Sequence, residues 1–184
     1  MSIVIETDRI LKDNVLIMHR DVTQYENAVA DIVGQSGGNI LEIGFGLGIS
    51  ADRIQTHNPT KHVIIEIEPE IYTKAVEWAE GKSNVQVIQG DWIDQISSLT
   101  DSFDGVYNDA DNDEDADCLL FSENIKSKCN AGCKLVQTNW GSNNTISTNS
   151  NTVETFEPNE DLQNWFGNGT VGIVYATLNN NNWV

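Results

Sequence analysis

Residues Asn39-Ile-Leu-Glu-Ile-Gly-Phe-Gly-Leu-Gly48 form an apolar run that opens into glycines at positions 44, 46 and 48. Glycine tolerates positive backbone dihedrals and lets the main chain approach a partner with no Cβ between them. A glycine turn between a strand and a helix is the opening unit of a doubly wound α/β sheet, with a nucleotide-like molecule lying across the strand ends. Glu66 closes the next apolar run, His62-Val-Ile-Ile-Glu66, where an acid can take both hydroxyls of a ribose.

The remaining chain keeps this alternation. A helix is predicted over 22–34, with Tyr25, Val29, Ile32 and Val33 on one face, followed by Gly37-Gly38 and a strand over 39–43. A helix over 49–57 stops before Pro59, and a strand over 62–67 follows. Pro69 sits where a first-turn proline is tolerated, and Ile71, Ala75, Val76 and Trp78-Ala79 make a helical stripe. Strands over 85–88, 103–107 and 134–138 alternate with helices over 92–99 and 114–128. Residues 141–152 read as a polar loop, 152–156 and 170–178 as an antiparallel hairpin on the sheet edge, and 179–182 as a polar tail. The pattern predicts one α/β domain over 1–184, Rossmann-like, its mostly parallel sheet covered by helices on both faces.

Composition narrows the partners. A formal net charge of -18 argues against general affinity for nucleic acid, whose phosphates need Lys and Arg, and suits solubility. Cys118, Cys129 and Cys133 are an odd number behind no signal-like leader, so reduced thiols and a cytoplasmic setting are expected. Cys129-x-x-x-Cys133 lacks nearby histidines, so core packing is expected there rather than a metal. No apolar run approaches a membrane span, and the sequons at Asn143 and Asn168 read as chance.

The glycine spacing selects among ligands. A dinucleotide fingerprint, G-x-G-x-x-G, would place its third glycine at Ile49. The glycine stands instead at 48, and Glu42-x-Gly-x-Gly-x-Gly resembles the first motif of class I S-adenosylmethionine (SAM) methyltransferases. SAM carries an ammonium and a carboxylate; free backbone N–H groups suit the second, and nearby acids or carbonyls the first. In Gly90-Asp91-Trp92 an acid can accept from an adenine amino group while the aromatic covers the ring, although Asp91 is equally an ordinary helix cap. Tyr107-Asn-Asp-Ala-Asp111 ends the fourth strand, where the Asp109 carboxylate can hold a cationic nitrogen nucleophile and accept its proton. Such a transfer needs little beyond alignment and charge complementarity. Asp111, Asp113, Glu114, Asp115 and Asp117 read as the solvated acidic start of a helix.

The run Ile17-Met-His-Arg-Asp-Val-Thr-Gln-Tyr25, with Ile40 to Gly46, His62 to Glu66, Gly90-Asp-Trp92, Phe103-Asp-Gly105 with Asp109, and Asn139-Trp-Gly141, resembles the guanidinoacetate methyltransferase family and its arginine Nδ-methyltransferase relatives. The resemblance covers about residues 15–141, in the family's order. It implies SAM contacts from Met18, Glu42, Gly44, Phe45, Gly46, Leu47, Gly48, Ile49, Glu66, Ile67, Asp91 and Trp92. It implies a small, cationic acceptor whose guanidino group is gripped by Asp109. The family's second carboxylate for that group falls where this chain has Val22, and the side chain of adjacent Asp21 is turned from it by about 100° on a helix. Asn108 also stands where the family has a Tyr before the Asp. Two other readings fit parts of the pattern. An aminopropyltransferase like spermidine synthase shares the sheet and the strand-four aspartate, but this chain shows no obvious N-terminal β-domain. A non-catalytic SAM-binding partner protein is compatible with Val22.

Overall fold

The computed structural model describes residues 2–110, 115–138, 152–161, 163, 171–180 and 182–184. It begins with an antiparallel meander of β1 (Ile3–Ile5), β2 (Arg9–Lys12) and β3 (Val15–His19). The sequence reading has no strands here, because each is short and the alternation breaks at a register shift between Ile10 and Leu11. The local signal is Asp13-Asn14, whose φ values of 51° and 64° suit the two-residue turn joining β2 to β3. Ile10 is fully buried and pins the meander onto Phe45, Ile64, Ile71 and Ala75.

A 3-10 turn, Arg20–Val22, leads into α1 (Thr23–Gly34). Five parallel strands follow: β4 (Asn39–Ile43), β5 (Lys61–Glu66), β6 (Val85–Gln89), β7 (Phe103–Asn108) and β8 (Cys129–Gln137). Between them lie α2 (Ile49–Thr56), α3 (Pro69–Ala79), α4 (Trp92–Gln95) and α5 (Asp115–Ile125). The helices expected over 92–99 and 114–128 each finish in a 3-10 turn, Ile96–Ser98 and Lys126–Lys128. The fifth parallel strand starts at Cys129, earlier than expected.

β9 (Thr152–Phe156), β10 (Val171–Asn179) and β11 (Asn182–Trp183) complete an eight-stranded sheet in the order β11-β10-β8-β7-β4-β5-β6, with β9 also paired to β10. The expected antiparallel hairpin is present, and β10 lies between β8 and β9: Tyr175 pairs with Val136 on one side and Thr152 on the other. The stretch read as a polar tail instead folds back. Asn180, at φ 47°, turns the chain so that Asn182 and Trp183 pair with β10. Trp183 is buried and its indole N–H donates to the Ser122 carbonyl at 2.9 Å.

Strand alternation assigns the two faces. Leu41, Ile43, Val63, Ile65, Val106 and Leu135 pack with Phe121 and Ile125 of α5. On the opposite face, Ile40, Tyr107 and Val136 meet Val29, Ile32 and Val33 of α1 and Ile54 of α2. The α3 stripe is narrower than expected: Ile71 and Ala75 are buried, while Val76, turned one residue further round, is 41% exposed. The three cysteines are unbridged, and Cys118 and Cys133 are buried, as core packing predicts. No helix among the described residues is long and apolar enough to cross a membrane. Residues 111–114 and 139–151 and the sequons at Asn143 and Asn168 lie outside the described residues, as do the side chains of Asp115 and Asp117.

Candidate functional site

The sheet reverses its winding at β4. Its neighbour on one side is β5, the next strand in sequence, and on the other is β7. Ligands of open α/β sheets bind at such a switch point, outside the carboxyl ends of the strands.

Gly44, Gly46 and Gly48 have φ of 87°, 53° and 73°, a region that disfavours any Cβ. What fills the space beside them differs. A Cβ on Gly46 would lie 2.3 Å from the Met18 sulfur, and one on Gly48 would lie 2.7 Å from the Phe45 ring. Those two glycines are crowded by the chain's own side chains. Gly44 lines the crevice, and a Cβ there would sit 3.3 Å from the Asp109 carbonyl oxygen. The loop N–H groups, expected to be free, are largely engaged: Gly44 donates to Ile65 O at 2.8 Å and Gly48 to Phe45 O at 2.8 Å. Phe45 donates to Glu66 Oε2 at 2.8 Å and Leu47 to Met18 Sδ at 3.0 Å. These four N–H groups are satisfied within the chain.

Glu66 is buried where β5 ends. Its second oxygen accepts the Glu68 N–H at 2.8 Å, so two backbone donors fix the carboxylate in place. Desolvation nevertheless pushes its pKa up. The carboxylate keeps acceptor capacity for a further donor. With Gly44, Ile67, Asp91, Trp92 and Ala110, Glu66 lines a crevice of about 230 Å³. Asp91 caps α4, accepting from Ile93 N at 2.9 Å, and Trp92 stands edge-on to Phe121 with ring centroids 5.0 Å apart. Ile67 is 57% exposed, an apolar surface beside the acid. Lys12, which sequence reasoning missed, reaches in from the meander and pairs with Glu68 at 2.6 Å on the same crevice.

The structure therefore brings Gly44, Glu66, Ile67, Asp91 and Trp92 together, and leaves other expected contacts outside. Phe45 is buried against Trp78, with ring centroids 5.4 Å apart, Ile49 is buried, and Leu47 packs with the meander. Glu42 departs most. Strand alternation turns it toward α2, where it is fully buried, accepting from the Ser50 hydroxyl and bonding His62 Nε2 at 2.9 Å. It is not among the residues that line the crevice.

Asp109 follows β7 at the switch point, half-buried, its N–H donating to Ile43 O at 3.0 Å. Behind it lies a polar cluster that sequence reasoning missed. Tyr107 is fully buried; its hydroxyl lies 3.1 Å from Glu26 Oε1 and 3.1 Å from Thr138 Oγ1. Glu26 is 1% exposed. Burial first, then the charge of Asp109, pushes its carboxyl well above the usual range. Burial likewise raises Tyr25 and Tyr107, the latter further through Asp109 and Glu26. The available signal was an acid inside an apolar helical arc, four residues after Val22 and three before Val29.

Residues 6–142 match the model of the family described as guanidinoacetate N-methyltransferase. The chain is similar to protein arginine N-methyltransferase 2 of Candida glabrata, 38% identical over 86 residues, covering 44% of this chain and 21% of that protein. The same-named protein of Saccharomyces cerevisiae is 35% identical over 100 residues, covering 51% and 24%. The chain thus spans about a quarter or less of the length of these two curated relatives. Among solved structures, an O-methyltransferase from Bacillus cereus in complex with S-adenosylhomocysteine (SAH) shares the fold at TM-score 0.61 and 18% identity, over 84% of this chain and 80% of that one. TomG, an O-methyltransferase from Streptomyces achromogenes in complex with SAM, shares it at TM-score 0.59 and 17% identity, over 83% and 78%.

Proposed function

Since the chain belongs to the guanidinoacetate N-methyltransferase family, we propose that it is a SAM-dependent methyltransferase acting on a nitrogen of a guanidino-bearing acceptor. The observation that carries this reading is the meeting of Gly44 with Asp109 at the switch point, beside a crevice walled by Glu66, Asp91 and Trp92. The crevice fits the cofactor chemically: an acid with spare acceptor capacity for a ribose, and an acid beside aromatic and aliphatic surface for an adenine. When bound, SAM supplies the methyl group: the acceptor nitrogen's lone pair forms the C–N bond while the C–S pair stays on sulfur, leaving SAH.

In this reading the chain's own residues position and neutralise. Glu66, held by Phe45 and Glu68, accepts the ribose hydroxyls without having to reorganise. Asp91 accepts from the adenine amino group while Trp92 and Ile67 exclude water from its faces. Asp109 acts as the catalytic residue, orienting the nitrogen and taking the proton that it sheds.

A small guanidino compound, such as guanidinoacetate, is the acceptor favoured by the family's description. The names of the curated relatives favour a second reading, an arginine side chain of a protein. Purified chain incubated with SAM and either guanidinoacetate, free arginine, a polyamine or an arginine-bearing peptide separates the two by mass spectrometry of the methylated product. SAM binding with no SAH formed from any of them would reject the enzyme reading in favour of a non-catalytic SAM-binding protein.

A further inference from the structure

We propose that Lys12 is a positioning residue of the cofactor crevice, fixing the Glu66 carboxylate through Glu68, which rests on reading that crevice as the SAM site. Lys12 ends β2 of the meander, and its Nζ lies 2.6 Å from Glu68 Oε1 across 56 positions of chain. Their side chains are 33% and 20% exposed, so the pair is screened less than one on the open surface. Both residues line the crevice, and Ile10, two positions before Lys12, is fully buried and anchors the strand that delivers it.

Glu68 is held at three points. Its carboxylate meets Lys12, its carbonyl accepts the Tyr72 N–H at 2.8 Å in the first turn of α3, and its own N–H donates to Glu66 Oε1 at 2.8 Å. The meander and α3 together therefore aim the N–H that fixes Glu66.

Glu68 acts on Glu66 in two opposing ways. Burial raises the proton affinity of Glu66 first; the Phe45 and Glu68 N–H groups lower it, and the negative charge of Glu68 raises it again. The donor favours a carboxylate ready to accept ribose hydroxyls, and the charge disfavours it. Lys12 offsets the charge and leaves the donor in place. The crevice needs such an offset. Glu66, Glu68 and Asp91 line it, from the end of β5, the turn before α3 and the start of α4, and Lys12 is the one basic residue among its described lining.

The test is calorimetric titration of SAM and SAH into the full chain and into Lys12→Met, Lys12→Arg, Glu68→Gln and the double variant Lys12→Met with Glu68→Gln. Near neutral pH, Lys12→Met should bind SAM about two- to fivefold more weakly. The loss should be at least as large for SAH, which has the same ribose without the sulfonium charge. Lys12→Arg should recover most of it. Glu68→Gln keeps the N–H and removes the charge, so it should stay within about twofold of wild type, and in that background Lys12→Met should cost less. The fall of SAM affinity in acid, as Glu66 takes up its proton, should begin at higher pH in Lys12→Met than in wild type. Lys12→Met binding both ligands like wild type overturns the proposal, as does a loss undiminished in the Glu68→Gln background. Carbon-13 NMR titration of the ligand-free chain gives a second measurement: the Glu66 midpoint should rise by about half a unit or more in Lys12→Met, and an unmoved midpoint overturns the proposal with no ligand present. A Glu66 that moves as stated in a chain that takes neither SAM nor SAH would keep the linkage from Lys12 to Glu66 and remove the methyltransferase reading.

Discussion

The two sides of the switch point treat their buried acids differently. On the β4–β5 side, Glu66 holds two backbone N–H groups, and Glu42 is bonded to Ser50 and His62. On the β7–α1 side, Glu26 keeps one oxygen with no hydrogen-bond partner among the described residues and faces the charge of Asp109. A satisfied buried acid rigidifies the scaffold around it, and an unsatisfied one costs stability until a donor arrives. The first half satisfies its acids; the second leaves an acceptor open among the described residues.

Four changes break or sharpen that contrast. Asp109→Asn should lower turnover about 10²–10⁴-fold, the usual share of a positioned acid or base, and leave SAM affinity nearly intact. Steady-state rates beside SAM calorimetry check it, and undiminished turnover would take Asp109 out of the mechanism. Glu42→Ala should act on folding instead, costing about 1–3 kcal/mol for each of the two buried partners left without its acceptor. Denaturant unfolding measures this, and a neutral result would return Glu42 to the list of ligand-facing groups. Glu66→Ala should weaken SAM binding by about 1.5–3 kcal/mol, the range for hydrogen bonds to a charged group; unchanged affinity would contradict its ribose role.

The smallest effect has the opposite sign. Glu26→Gln should stabilise the ligand-free chain at neutral pH by about 1 kcal/mol, or some 2–4 °C in Tm for a chain of this length. Glu26 is raised above its ordinary value of 4.5 by burial and by Asp109, so the folded chain retains a proton that the unfolded chain releases. Wild-type stability is therefore undiminished by Glu26 below pH 4.5 and falls as pH rises above it toward the folded value. The advantage of Glu26→Gln should vanish in acid and grow toward neutrality in thermal melts. A gain equal at both pH values would mean that the residue is not strained by its charge.

The strand-end acids were legible because their signal is local. Glu66, Asp91 and Asp109 each close or follow an apolar run, and a parallel sheet collects those ends on one edge. Glu42's orientation was not legible in its motif position: strand alternation aims it at the opposite face from Leu41 and Ile43. The meander and β11 escaped because strands this short have little periodicity to read, and Trp183 is buried only because Asn180 reverses the chain onto β10.

The sequence alone determined the alternating strands and helices, the glycine turn and the acid after each strand, since these follow from backbone sterics and apolar spacing within a few residues. Tertiary structure decided which acids would be satisfied. Whether a carboxylate meets a backbone N–H, a histidine or another carboxylate depends on elements far apart in the chain. Glu26 and Asp109, separated by 83 positions (109 minus 26), act on each other because α1 packs across β7.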